Sequence, residues 1–140
     1  MNHTGQVLTL VSAIALDFAS SDSDAQQLVR ATLLSKAIQV DAPELTPGVV
    51  TFDVHNAADD RTVHEFVVLK TAVADDALPV QKSQVPERKF RKVGEVEDIM
   101  PGTSKRLTVK LGPGHYVLIC NKPAHYSMGM HASLTVTPGR

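Results

Sequence analysis

From residue 27 onward, the chain is a succession of short runs rich in Val, Ile, Leu and Thr that Pro and Gly separate. The breaks are "TPG" at 46–48, "NAADD" at 56–60, "MPG" at 100–102 and "GPG" at 112–114. Pro presets φ and Gly accepts positive φ, so both residues favour turns. The runs are too short for long helices and show little 3.6-residue periodicity, which predicts an all-β fold of antiparallel strands.

We predict eight strands, near residues 29–34, 37–40, 49–56, 63–70, 95–99, 105–111, 115–120 and 132–137. Their number and spacing favour a two-sheet β-sandwich with Greek-key connections. The stretch 71–92 interrupts this rhythm. A structureless loop of that length is unusual inside a compact domain, so we expect an excursion with a short helical turn. The 140 residues suffice for one domain with a hydrophobic core and are too few for two ordinary ones.

The charge pattern gives little support to a polyanionic partner. The formal net charge is −1, and no aromatic residues alternate with basic ones, so we expect no nucleic-acid binding. The excursion nevertheless contains a basic cluster of Lys82, Arg88, Lys89, Arg91 and Lys92. Such a cluster is usually a solvated face, and the alternative is a docking patch for an acidic partner.

We divide the chain into an N-terminal segment, 1–27, and a domain, 28–140. Residues 7–16 are mostly apolar and precede a stretch rich in Ser, Asp, Gln and Ala, an outline that resembles a secretory signal and linker. No Lys or Arg precedes the apolar run, so an atypical export signal and an ordinary packed segment both remain open. The run is far below the roughly 20 residues that span a bilayer, and we expect no membrane span. Export would place the protein in the periplasm or otherwise outside the cytoplasm.

One segment, "ICNKPAHYSMGM" at 119–130, contains the only cysteine of the chain together with sulfur and nitrogen donors at regular spacing. Cys120, His125 and Met130 follow one another at intervals of five residues, between two predicted strands. Thiolate and thioether are soft ligands and imidazole is intermediate, so this set suits copper far better than Mg²⁺ or Ca²⁺. Zinc would usually recruit a second cysteine or more histidines. Met128 is an alternative to Met130 as the thioether donor.

A blue copper site requires a second histidine besides one Cys and a long axial Met. His64 alternates with Phe66 and Val68 and therefore points to the apolar interior, which makes it the best candidate. The others are less suitable. His3 lies in the N-terminal segment, His55 reads as solvent-facing, His115 lies five residue steps from Cys120, and His131 points away from its neighbour Met130.

The runs "VHEFVV" and "GPGHYVLICNKPAHYSMGMHASLTV" resemble the cupredoxins, the small blue copper proteins. The likeness extends over about 28–137 and is greatest to plastocyanin/azurin-like and sulfocyanin-like members with a Cys-x4-His-x4-Met loop. It implies one type 1 copper per chain, with His64, Cys120, His125 and Met130 as its ligands. Two positions depart from the family: Glu65 stands where many relatives have Asn, and Ala124 where close relatives often have Gly, so Ala124 must avoid positive φ or accept strain.

The resemblance implies a one-electron carrier rather than an enzyme, cycling between Cu(II) and Cu(I). We expect a monomer that docks redox partner proteins transiently near His125. The alternative is a periplasmic protein for copper delivery or buffering, in which the metal itself leaves. A Cys-His hydrolase would need Cys120 and His125 to face each other with an oriented third group. A copper oxidoreductase would need a second copper cluster, for which His55, His115 and His131 show no suitable spacing.

Overall fold

The computed structural model describes residues 26–139, which form nine β-strands and one short 3₁₀ turn, Glu87–Lys89. The strands in chain order are β1 (Gln27–Leu34), β2 (Ala37–Val40), β3 (Glu44–Leu45), β4 (Gly48–Asn56), β5 (His64–Lys70), β6 (Arg91–Ile99), β7 (Ser104–Leu111), β8 (Gly114–Ile119) and β9 (His131–Val136). No helix in this part of the chain is long and apolar enough to cross a membrane. The predicted export signal and most of the 1–27 segment lie outside the described residues.

The strands form two sheets that face each other. One has the order β2-β1-β4-β7 and the other β3-β9-β8-β5-β6. Most neighbours are antiparallel, but β1 pairs with β4, and β3 with β9, in parallel. The prediction of antiparallel strands is wrong for these two pairs, because strand direction depends on connections that pass between the sheets. The predicted all-β sandwich is confirmed.

The predicted strands agree with the observed ones except at two places. Strand β3 was not predicted, because its two residues are too few to carry an alternating pattern. Strand β6 begins at Arg91 rather than near residue 95, because its first two residues are charged and exposed at the edge of the sheet. The excursion is thus 71–90, and its predicted helical turn is the 3₁₀ turn Glu87–Lys89.

The main core lies between the two sheets. Phe52 of β4 meets Phe66 of β5 with ring centroids 5.3 Å apart, and both side chains are fully buried. Burying a side chain of this size contributes about 1.5–3 kcal/mol relative to leaving it exposed. Alternate residues of β5 and β8 face this core, among them Tyr116, Leu118 and, just past β8, Cys120.

A second apolar cluster covers the outer face of the five-stranded sheet. Val67 and Val117 point to this side, where Leu78 and Val85 of the excursion pack on them. Strand β5 is therefore buried on both faces, which explains its nearly continuous apolar sequence "FVVL". The excursion is a cover over the sheet and extends to the end of the sandwich where Cys120 lies.

The fully buried amide of Asn56 holds the connection from β4 to β5. Its Nδ2 donates to the carbonyl oxygens of Thr62 at 2.8 Å and Ile99 at 2.9 Å, and its Oδ1 accepts from the backbone N–H of Ala58 at 3.0 Å. These bonds fix the loop 57–63 that leads into His64. The entry of β5 is therefore positioned by a side chain eight residues upstream.

We predict that Asn56→Ala lowers the free energy of unfolding of the metal-free protein by roughly 2–4 kcal/mol, because it leaves a buried carbonyl and amide without partners. Urea denaturation followed by circular dichroism measures the change. His55→Ala is the matched control, since His55 is exposed and its side chain hydrogen-bonds to Ser104 on the surface, and we expect a change within about 0.5 kcal/mol. Equal losses in the two variants would contradict this role of Asn56.

Candidate metal centre

His64 opens β5 and is fully buried. It points to the same side of the strand as Phe66 and Val68, as the alternation predicted, because successive side chains of a strand face opposite ways. Its Nδ1 is directed at Cys120 and His125. The other ring nitrogen, Nε2, is buried and has no hydrogen-bond partner among residues 26–139.

Cys120 follows the last residue of β8 and is fully buried. Its backbone N–H donates to the carbonyl of Met130 at 3.1 Å, which closes the loop 121–129 at its base. Its Sγ accepts a hydrogen bond from the backbone N–H of Glu65 at 3.4 Å. The backbone N–H of Glu65 therefore supplies the hydrogen bond to the sulfur. The ionised carboxylate of Glu65 could not do so, because it only accepts hydrogen bonds.

The loop between Cys120 and Met130 is a compact series of turns that directs His125 inward. The N–H of His125 donates to the carbonyl of Lys122 at 3.0 Å, and the N–H of Met130 donates to the carbonyl of His125 at 3.1 Å. At Gly129, where φ is +117°, a Cβ atom would lie 2.5 Å from the carbonyl oxygen of Lys36. Only glycine permits this approach, so the loop rests directly on the turn between β1 and β2.

Three donor atoms converge at this end of the sandwich. The Nδ1 atoms of His64 and His125 are 3.2 Å apart, and the Sγ of Cys120 lies 3.7 Å from the first and 3.3 Å from the second. A point in their plane lies about 2.0 Å from all three, which is close to the usual bond length of about 2.0–2.1 Å from a metal to an imidazole nitrogen. The spacing and the soft, intermediate donor set therefore fit one copper ion.

Burial decides between the two methionines of the loop. Met130 is fully buried at the base of the loop, whereas Met128 is 45% exposed. His64 and Cys120 are also fully buried, so a thioether that joined these donors would come from the protein interior. This favours Met130 over Met128 as the thioether donor.

Burial also sets the protonation of the donors. It lowers the pKa of His64, and the nearby His125 lowers it further. Burial likewise lowers the pKa of His125, which Asp60 partly opposes. Both rings are thus held in the neutral form that binds metals. Burial raises the pKa of the Cys120 thiol, whereas the backbone N–H groups of Glu65 and Lys122 lower it by a smaller amount. A metal that binds there must therefore displace a proton from the thiol.

The remaining histidines of the described residues take part in other contacts. His55 is exposed and pairs with Ser104 at 2.8 Å. His115 lies within 2.7 Å of the carbonyl of Thr71, and His131 within 2.6 Å of the Asp75 carboxylate. These three are not part of the group that His64, Cys120 and His125 form, and His3 lies outside the described residues.

The excursion fastens the loop on both sides of His125. The amide of Asn121 accepts from the N–H of Val85 at 2.7 Å and donates to the carbonyl of Val85 at 3.0 Å. Further along, the hydroxyl of Tyr126 accepts from the N–H of Leu78 at 2.9 Å and donates to the carbonyl of Asp75 at 2.6 Å. Sequence reasoning missed these anchors, since an Asn and a Tyr within a loop carry no signal of a distant backbone partner.

Ala124 adopts φ +69°, the left-handed region that favours glycine. Of the two outcomes expected at this position, the backbone accepts the strain. Its N–H donates to the carbonyl of Ser83 at 2.8 Å, which holds it in that conformation. A residue that is costly by itself is thus maintained by a contact from the excursion.

Comparison with known proteins agrees with this geometry. The family model described as copper binding proteins, plastocyanin/azurin family, matches residues 34–137. A search of the curated proteins finds no match.

Several solved structures are similar to the chain. Auracyanin B has 28% sequence identity and a TM-score of 0.59, covering 84% of this chain and 92% of its own. Dithionite-reduced auracyanin from the photosynthetic bacterium Roseiflexus castenholzii has 23% identity and a TM-score of 0.58, and the match covers 80% of this chain and 98% of the auracyanin chain. Rusticyanin from Thiobacillus ferrooxidans has 21% identity and a TM-score of 0.53, and the match covers 80% of this chain and 77% of the rusticyanin chain. The two structures with less than 25% sequence identity support the fold alone.

We predict that Ala124→Gly raises the free energy of unfolding of the metal-free protein by roughly 0.5–1 kcal/mol. Glycine has no Cβ, so it removes the strain of about 1–2 kcal/mol that a left-handed conformation imposes on alanine. Part of this gain is lost, because glycine also raises the conformational entropy of the unfolded chain. Denaturant unfolding measures the effect. Ala57→Gly, at an exposed residue without positive φ, is the control and should be neutral or destabilising. A loss of stability in Ala124→Gly would show that Ala124 is not strained.

Proposed function

The chain belongs to the plastocyanin/azurin family of copper-binding proteins, and we propose that His64, Cys120, His125 and Met130 are the ligands of its copper ion. It is a mononuclear type 1 copper protein, a carrier of single electrons between redox partners. Bound copper supplies the Cu(II)/Cu(I) couple that this function requires. The observation that carries the ligand proposal is the convergence of the two Nδ1 atoms and the Sγ within 3.7 Å of one another.

Each ligand side chain has a distinct task. Cys120 as the thiolate, together with His64 and His125, would hold the copper, and the thioether of Met130 would tune its reduction potential. The sandwich holds three of these residues fully buried, and the excursion holds the fourth, His125, through its neighbours. Donors that are fixed before the metal changes its charge need little rearrangement, which favours rapid electron exchange.

Burial of the donors also favours electron transfer over copper delivery. His64, Cys120 and Met130 are fully buried, and His125 alone is partly exposed. A protein that hands its metal to another needs ligands that open to solvent, and the anchors at Asn121 and Tyr126 oppose such opening. We propose an electron carrier without catalytic activity of its own, which exchanges electrons through the partly exposed His125.

We further propose that the protein works in the periplasm or otherwise outside the cytoplasm. The apolar run at 7–16 followed by a polar linker supports this location. We also propose that it functions as a monomer, since a carrier that meets its partners transiently needs only a small free surface around His125.

We predict that Cu(II) added to the purified protein produces an intense thiolate-to-copper absorption band in the visible spectrum, which Cys120→Ser abolishes because an alcohol cannot supply that transition. His55→Ala is the control and keeps the band, since His55 lies on the solvent face. A colourless wild-type protein would overturn the ligand proposal. Rapid loss of copper to a chelator combined with slow electron exchange would favour copper delivery instead.

We predict that Met130→Leu raises the reduction potential by tens of millivolts, because removal of a thioether donor destabilises Cu(II) more than Cu(I). Protein-film voltammetry measures the potential. Met128→Leu is the matched control and leaves it unchanged, since the Met128 side chain faces solvent. A larger shift in Met128→Leu than in Met130→Leu would reverse the assignment of the axial ligand.

A further inference from the structure

The basic cluster spans the end of the excursion and the first two residues of β6, Arg91 and Lys92, and its first part lies beside the metal loop. Residues 82–92 contain five of the 14 Lys and Arg residues of the chain and one acidic residue, Glu87, in a protein whose net charge is −1. Lys92 is neutralised by Glu87 at 3.1 Å and by Glu95 at 2.7 Å. Charge in this region is therefore concentrated and of one sign.

The other four cations are exposed and lack an acidic partner. Among residues 26–139, no carboxylate lies within 4.0 Å of the charged groups of the residues we call the basic surface, namely Lys82, Arg88, Lys89 and Arg91. Glu87, the one acid between them, turns toward the loop and accepts from the amide of Asn121 at 2.8 Å. The basic surface thus keeps its full charge toward solvent.

The backbone presents these side chains in fixed positions. Lys82 and Ser83, with φ of +50° and +66°, form the tip of a two-residue turn closed by reciprocal bonds of 2.8 and 3.0 Å between Gln81 and Gln84. Arg88 and Lys89 lie on the 3₁₀ turn, which is anchored by Phe90 packed on the outer apolar cluster. A solvated face does not require such anchoring, whereas a surface that orients a partner gains from it.

The backbone beside the basic surface contacts the metal loop. The carbonyl of Ser83, next to Lys82, accepts from the N–H of Ala124, the residue before His125. Lys82 and Arg88 also border an open cavity of about 440 Å³ whose lining includes Asn121, the residue after Cys120. A molecule held by these cations lies beside the loop through which electrons reach the centre.

We propose that Lys82, Arg88, Lys89 and Arg91 form a docking surface for an acidic redox partner protein, which they orient with its own centre toward His125. This inference rests on the proposed electron-carrier function. Opposite charges speed association and select orientation more than they strengthen a complex, which suits a partner that must leave after each transfer. In the encounter one electron leaves the reduced protein and enters the oxidised one, without bond formation or proton transfer.

The test compares two triple variants of the copper-loaded protein that remove equal charge. Lys82→Gln, Arg88→Gln and Lys89→Gln alter the basic surface. Arg30→Gln, Lys105→Gln and Arg106→Gln alter exposed cations of the four-stranded sheet. Stopped-flow spectroscopy measures electron exchange with the hexacyanoferrate couple, in the direction that the measured reduction potential favours. An unchanged visible spectrum and potential show that each variant keeps its centre.

At low ionic strength we expect the basic-surface variant to exchange electrons with hexacyanoferrate about 10-fold more slowly than wild type, and the control variant to change much less. Salt should reduce the difference. Poly-L-glutamate, as a mimic of an acidic protein surface, should inhibit wild type and not the basic-surface variant. A cationic probe, the tris(phenanthroline)cobalt couple, should react no more slowly with that variant.

Equal effects of the two triple variants would overturn the proposal, because net charge and not the surface would then determine the rate. Binding of wild type to phosphatidylglycerol vesicles that the basic-surface variant loses, with unchanged electron exchange, would assign the surface to a membrane and also overturn it. Failure of the wild-type copper protein to exchange electrons with either probe would instead contradict the proposed function, so the two failures are distinguishable.

Discussion

The centre depends on the register between β5 and β8. Val67 stands opposite Ile119 and Val68 opposite Leu118, so residues that face the core on β5 stand opposite residues that face the core on β8. His64 and Cys120 face the same side and lie at the same end of the sandwich. Side chains alternate with a period of two, and a slip of one residue would turn one of these donors to the outer face. The register is fixed because β5 is buried on both sides and each face packs against its own apolar cluster.

The loop that completes the centre is held by contacts from outside it. Backbone turns bring His125 back toward Cys120, but these turns include a strained Ala124 and a Gly129 pressed against the turn after β1. Hydrogen bonds to Asn121 and Tyr126 maintain this conformation from the excursion side. The protein thus accepts local strain at Ala124 and a buried Nε2 of His64 that has no hydrogen-bond partner within residues 26–139, and the surrounding packing keeps the donors in place.

The excursion connects the interior of the centre with the surface around it. Its apolar side chains Leu78 and Val85 cover the outer face of the sheet, and its polar backbone positions the ligand loop. Its basic side chains Lys82, Arg88 and Lys89 are exposed to solvent beside the same loop. A single segment therefore contributes to stability, to the rigidity of the metal site and to the charge that an approaching partner meets.

The sequence alone determined the fold class and seven of the nine strands within a few residues, and it predicted the donor set. These follow from local signals: two-residue alternation, turn residues, and the spacing of Cys120, His125 and Met130. Alternation also selected His64 among the histidines, because facing the interior is a property of a single strand. Tertiary structure decided the rest: the parallel pairs β1–β4 and β3–β9, the strain at Ala124, the anchors at Asn121 and Tyr126, and the position of the basic surface beside the ligand loop. Each of these depends on which distant backbone groups meet, and no local pattern of residues encodes such a meeting.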